Sequence, residues 1–143
     1  MLLGNRKGVI LLIYYQLTKV KMAAKEVYED GFVEYVDGGL REEKEGRYRC
    51  AVDLYYKAIT QLCDYILLTQ KNRVSTSHSN RFRLLEELFP EIYNIIDDLF
   101  TTYIRVYVDY REKKHCEDVK NGIKKIISIA KIEGRIKAIS ENL

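Results

Sequence analysis

The sequence predicts an all-α protein, about five helices packed as an up-and-down antiparallel bundle. Three observations carry this. From Ala23 onward, apolar residues recur every three or four positions, the spacing of one helix face. Only eight glycines and one proline punctuate the 143 residues, too few for the many turns of an all-β fold. The periodic stretches are long and the interruptions short, which favours antiparallel neighbours. A chain of this length is expected to form one domain and bury roughly 70% of its unfolded surface without metal or disulfide staples.

The division expected is a basic, apolar segment at 1–21 and a single helical-bundle domain at 22–143. The run Gly8–Tyr15 (GVILLIYY) follows Asn5-Arg6-Lys7 and falls far short of the ~20 residues needed to span a bilayer. No small-x-small cleavage site follows it, so a removable leader is disfavoured. Two readings remain open. Either the segment is a short strand or helix that packs on the body or on a second subunit, or it is an extension upstream of a start at Met22.

The first helix of the body is marked by Ala24, Val27, Tyr28, Phe32 and Tyr35 and is expected to stop at Asp37-Gly38-Gly39. A second runs from about Arg41 to Gln70. Its Tyr48, Ala51, Tyr55, Ala58, Leu62 and Tyr65 form a stripe that Val52, Ile59 and Ile66 widen, as in a buried helix. A polar stretch, 71–80, interrupts the pattern. Ser79 or Asn80 is expected to cap a short third helix through Leu84, Leu85 and Leu88, ended by Phe89-Pro90. Ile92, Ile96, Leu99, Tyr103, Val106 and Tyr110 mark a fourth. After Arg111–Lys114, a fifth runs through Val119, Ile123, Ile126 and Ala130 and continues to Ile139.

The formal net charge of +3 is unevenly placed. Residues 1–21 hold Arg6, Lys7, Lys19 and Lys21 and no acid, whereas the other 122 residues carry 20 bases and 21 acids. A general affinity for nucleic acid therefore cannot be read from the total. Three cysteines, with no C-x-x-C pair, point to a reducing, cytoplasmic compartment.

One stretch stands out chemically. No acid occurs between Asp64 and Glu86, while Lys71, Arg73, Arg81 and Arg83 surround His78 among Ser75, Thr76, Ser77, Ser79 and Asn80. Cations, hydroxyls and the start of a helix together suit a phosphate. The alternative is a solvated, capped loop in which Arg81 and Arg83 pair acids of the neighbouring helix. Arg73 and His78 also form an R-x4-H pair, the minimum for metal-independent RNA cleavage: the arginine neutralises phosphate and the histidine transfers a proton.

Other constellations are weaker. His115-Cys116 has no nearby partner ligands, and Cys50 and Cys63 point to different sides of one helix, so no metal site is expected. Glu86-Glu87 and Asp97-Asp98 read as wet helix faces, and the twelve tyrosines read mostly as core. Lys120, Lys124, Lys131 and Arg135 form a basic ridge that reads as solvent-facing. Walker, G-x-G-x-x-G, G-x-S-x-G and H-E-x-x-H motifs are absent from the sequence.

Gly46-Arg47-Tyr48 leading to Ala51–Ala58, Thr76-Ser77-His78 before Leu84–Leu88, and the aromatic Tyr103–Tyr107 together resemble the HEPN-domain family. The resemblance spans roughly residues 23–132. It implies a five-helix bundle that homodimerises, often beside a small nucleotidyltransferase partner in toxin–antitoxin-like pairs. Some members cleave RNA with an R-x4–6-H motif, and others bind nucleotides. Arg73 and His78 match the motif in spacing, with Val74 where the family carries a polar residue. The place of His78 before Leu84-Leu85 is more similar to the nucleotide-binding branch.

The expectation is thus a HEPN-like protein that binds the phosphate of a nucleotide or RNA, needing no cofactor and no membrane. Lys71, Arg73 and Arg81 would hold phosphate, with Ser77 and His78 hydrogen-bonding it. The alternatives are an endoribonuclease using Arg73 and His78, and a non-catalytic adaptor bundle assembled through the N-terminal segment.

Overall fold

The computed structural model describes residues 6–105, 108 and 112–143. Among the described residues six helices follow in order: α1 Arg6–Lys44, α2 Tyr48–Lys71, α3 His78–Leu88, α4 Pro90–Arg105, α5 Glu112–Ala130 and α6 Arg135–Ser140. The all-α bundle expected from periodicity is what forms, with no strand among the described residues. No helix among them is long and apolar enough to cross a membrane. α1 and α2 form a long hairpin. α5 lies on α2 and α4 on α5, while α3 packs beside α4 and α6 returns to α1.

The largest departure from expectation is α1. It does not stop at Asp37-Gly38-Gly39 but runs unbroken for 39 residues, from the N-terminal segment into the bundle. The glycines serve close approach rather than a turn. A Cβ on Gly39 would enter the buried ring of Tyr55, and one on Gly38 would lie 3.2 Å from Leu54 Cδ1. The true reversal is at Gly46, whose φ of 75° suits a residue without Cβ. Its N–H donates to Glu43 O and that of Arg47 to Glu42 O, closing the helix end.

α2 behaves as its stripe requires. Ala51, Val52, Tyr55, Ala58, Ile59, Leu62 and Ile66 are all buried, against Phe32 and Val36 of α1 and Ile123 and Ile126 of α5 in one core. Each fully buried large side chain contributes roughly 1.5–3 kcal/mol. Asn72 ends α2 in the left-handed conformation, φ 53°, and the N–H of Arg73 donates to Leu67 O. Gln70 Nε2 donates to Ala130 O at 2.7 Å and ties this end to α5.

Two further boundaries are corrected, at the start of α3 and the end of α5. Ser77, not Ser79 or Asn80, caps α3: its Oγ accepts from the N–H of Asn80, and Asn80 Oδ1 accepts from the N–H of Thr76, both at 3.0 Å. This reciprocal pair resembles a capping box. α4 ends its described course at Arg105, and Val106 and Tyr110 of the expected stripe lie outside the described residues. The fifth helix does not continue to Ile139. Lys131 turns left-handed at φ 54°, Gly134 follows at φ 80°, and α6 starts anew, burying Ile136.

The basic ridge is only partly solvent-facing. Lys120 is largely buried, 2.9 Å from Glu43 and 2.7 Å from Glu117, and Tyr55 Oη donates to the same Glu43 at 2.7 Å. This group joins α1, α2 and α5. Arg135 pairs with Asp30 of α1, whereas Lys124 and Lys131 are exposed.

Candidate functional site

Asp64 is an acid on the buried face of α2, two turns before its end, and only 6% of its side chain is exposed. A carboxylate placed there needs partners, and the acid-free stretch supplies them. Ser75 Oγ donates to Oδ1 at 2.6 Å; Arg81 donates from Nε to Oδ1 at 2.8 Å and from Nη2 to Oδ2 at 2.9 Å. The side chain of Arg81 is 14% exposed. This planar two-point pairing fixes the start of α3 against α2.

The remaining arm of Arg81, Nη1, lies 2.9 Å from His78 Nδ1. A guanidinium only donates, so Nδ1 must accept, and a neutral His78 in this contact carries its proton on Nε2. Asp64, Arg81 and His78 thus form a chain from the core to the surface. It presents the imidazole on the wall of a cleft of about 590 Å3.

The cleft is built by four helices. Tyr35 comes from α1; Tyr56, Lys57, Thr60 and Gln61 from α2; His78, Arg81 and Phe82 from α3; Phe100 and Tyr103 from α4. Its aromatic wall is continuous. Tyr56 and Tyr103 stack with centroids 4.5 Å apart and 18° between planes, and Phe82 meets Phe100 edge-on at 5.9 Å. Burial pushes the Tyr56 phenol up to about 12, so it stays a neutral hydroxyl. At the rim, Lys57 is exposed and 3.2 Å from Asp53, one helical turn away.

Of the five residues expected to hold phosphate, the structure brings two, His78 and Arg81, to this cleft. Arg81 is engaged by Asp64, as the capped-loop alternative foresaw for that residue. Ser77 spends its Oγ on the helix cap. Lys71 Nζ sits 5.5 Å from the ring centre of Phe89, away from the cleft wall. Arg73 is exposed and, among the described residues, is not part of the wall that His78 lines.

Sequence reasoning missed Asp64, Lys57 and the aromatic wall. Asp64 had a legible signal, a lone acid inside the apolar run Leu62–Leu68. Tyr56 and Tyr103 had none, because a tyrosine that lines a cleft has the same spacing as one that fills a core.

Glu86, Glu87, Asp97 and Asp98 are all exposed. Among the described residues no three His, Cys, Asp or Glu side chains gather closely enough to hold a metal ion.

No known protein family, curated protein or solved structure matches this chain.

Proposed function

We propose that the chain is a HEPN-like nucleotide-binding protein of the cytoplasm and that the cleft between α2, α3 and α4 holds its ligand. The observation that carries this is the joining of an aromatic wall to His78, Arg81 and Lys57 in one cleft of about 590 Å3. That volume lies within the ~300–1,000 Å3 range of small-molecule sites. A nucleobase stacks on Tyr103 and Phe100, a contact worth roughly 1–3 kcal/mol per base. The phosphate meets Lys57 and the Nε2–H of His78. Arg81 acts through His78: locked by Asp64, it holds the imidazole in place and adds positive charge behind it.

Calorimetry with a nucleoside monophosphate, the matching nucleoside and a short RNA tests this. The monophosphate is expected to bind at least tenfold more tightly than the nucleoside, a difference of ~1.4 kcal/mol. Lys57→Ala and His78→Ala should each remove most of that advantage, and Tyr103→Ala should weaken both ligands. Arg73→Ala should change nothing. Equal affinity for nucleoside and nucleotide refutes the phosphate assignment.

The endoribonuclease alternative requires Arg73 beside His78, within one chain or across a dimer, and within the chain it is Arg81 that lies beside His78. The expected result is therefore intact RNA after incubation with the chain in EDTA. Action beside a nucleotidyltransferase partner rests on the family resemblance alone. Co-purification with such a partner is its test.

A further inference from the structure

The first half of α1 presents an apolar surface that the bundle does not cover. Residues 6–23 are exposed one after another, and the first fully buried side chain of the helix is Phe32. Between Val9 and Met22, ten large apolar side chains are each 49–70% exposed. Together they leave on the order of 1,000 Å2 in water, against ~300–600 Å2 for the largest patch on an ordinary monomer and ~800 Å2 per partner in a standard interface. An apolar surface that extends around a helix is stable only where something covers it.

Charge along the same helix says what does. Residues 6–25 hold Arg6, Lys7, Lys19, Lys21 and Lys25 with no acid; residues 26–37 hold Glu26, Glu29, Asp30, Glu34 and Asp37 with no base. Two such helices side by side in parallel would set like charges together. Antiparallel, they set opposite charges together. A cleft of about 530 Å3 also opens between this part of α1 and Leu68, Asn72 and Val74. It offers an incoming helix a second wall.

We propose that the N-terminal half of α1 docks on the same segment of a second copy of this chain, the two helices running antiparallel. A crossing near Leu17 overlaps residues 6–28, about 34 Å of helix at ~1.5 Å per residue. It covers both apolar runs and sets Arg6 and Lys7 beside the partner's Glu26 and the partner's Glu29. The basic flanks disfavour insertion in a bilayer, since Arg6 and Lys7 would lead the tip into hydrocarbon. The interface is independent of the nucleotide-binding reading.

Sedimentation equilibrium of the full chain at micromolar concentration should give twice 16.8 kDa. Leu12 is 58% exposed in the single chain, so Leu12→Asp should halve the mass while leaving the helical circular-dichroism spectrum intact. Arg6→Glu/Lys7→Glu and Glu26→Lys/Glu29→Lys should each weaken self-association about tenfold at low salt. Mixing the two variants should restore it, because only the mixed pair sets opposite charges together at both ends. A single-chain mass for the unaltered protein overturns the proposal, and so does a dimer that survives Leu12→Asp. A mixture no tighter than either variant overturns the antiparallel register. Flotation of a monomeric chain with phosphatidylserine vesicles would assign the surface to lipid instead.

Discussion

Replacing Arg81 by leucine should expose the energetics that hold the cleft together. At 2.8 Å and an effective dielectric of ~20, the attraction between Arg81 and Asp64 is about 6 kcal/mol. Removing each ion from water costs several kcal/mol, so the intact pair is worth little more than well-packed apolar groups in its place. Breaking it is another matter. Arg81→Leu leaves the Asp64 carboxylate buried with Ser75 as its remaining donor from this network, and the expected cost is about 3–5 kcal/mol. With a urea m-value of ~2 kcal/mol/M, the unfolding midpoint should fall by roughly 1.5–2.5 M. Asp64→Leu should cost a similar amount by stranding the guanidinium. The double variant Asp64→Leu/Arg81→Leu should recover most of the loss, since neither charge then remains. Urea titrations of the four proteins, followed by circular dichroism, close the cycle. A midpoint shift under 0.5 M for either single variant, or strict additivity in the double, refutes the buried-pair reasoning.

Other outcomes are equally specific. Gly39→Ala gains about 1 kcal/mol of helix propensity but forces the Tyr55 ring aside, so overpacking of ~1–3 kcal/mol should win. Gly31→Ala meets the Gln61 side chain from Cγ to the amide, a flexible chain that can swing away, and should be neutral or stabilising in the same melt. Ser77→Ala should cost about 1 kcal/mol by removing the α3 cap, while Ser79→Ala should stay within ~0.5 kcal/mol. The Tyr56 phenol, raised by burial to about 12, binds its proton more tightly folded than unfolded. Its contribution is complete below pH 10 and is lost as pH rises toward 12. Tyr56→Phe should therefore flatten the alkaline limb of a stability–pH profile, and an unchanged limb would contradict this.

Helix content and the α2 core face were legible because burial follows a 3.6-residue period, and Ala51 through Ile66 obey it. The α1 boundary was not. Asp37-Gly38-Gly39 carries the local chemistry of a turn, yet the same glycines permit the close approach of Tyr55, and tertiary packing decided between the two. At the candidate site, composition singled out the stretch that holds His78 and Arg81, two of the side chains that line the cleft. What it could not supply was the pairing of Arg81 with Asp64, seventeen residues back on another helix, or the place of Tyr103, contributed by α4, in the same cleft. Such pairings arise from docking between helices. The alternation of cations and hydroxyls in 71–83 carries no record of which of them face inward.

The glycine face of α1 has a further consequence, for how the sequence is free to drift. At Gly38 and Gly39 every substitution adds atoms, and none can remove any. Mutation there presses the α1–α2 hairpin only apart, whereas at Leu62 or Ile66 it can shrink a side chain as easily as enlarge it. Gly39 thus acts as a one-way stop on the spacing of the hairpin, because the Tyr55 ring it faces is buried. Gly38 and Gly31 are looser, because Leu54 Cδ1 and the Gln61 amide are the far ends of side chains that can yield. Chains descended from this one should keep glycine at 39 while letting 31 and 38 vary, whatever becomes of the loops.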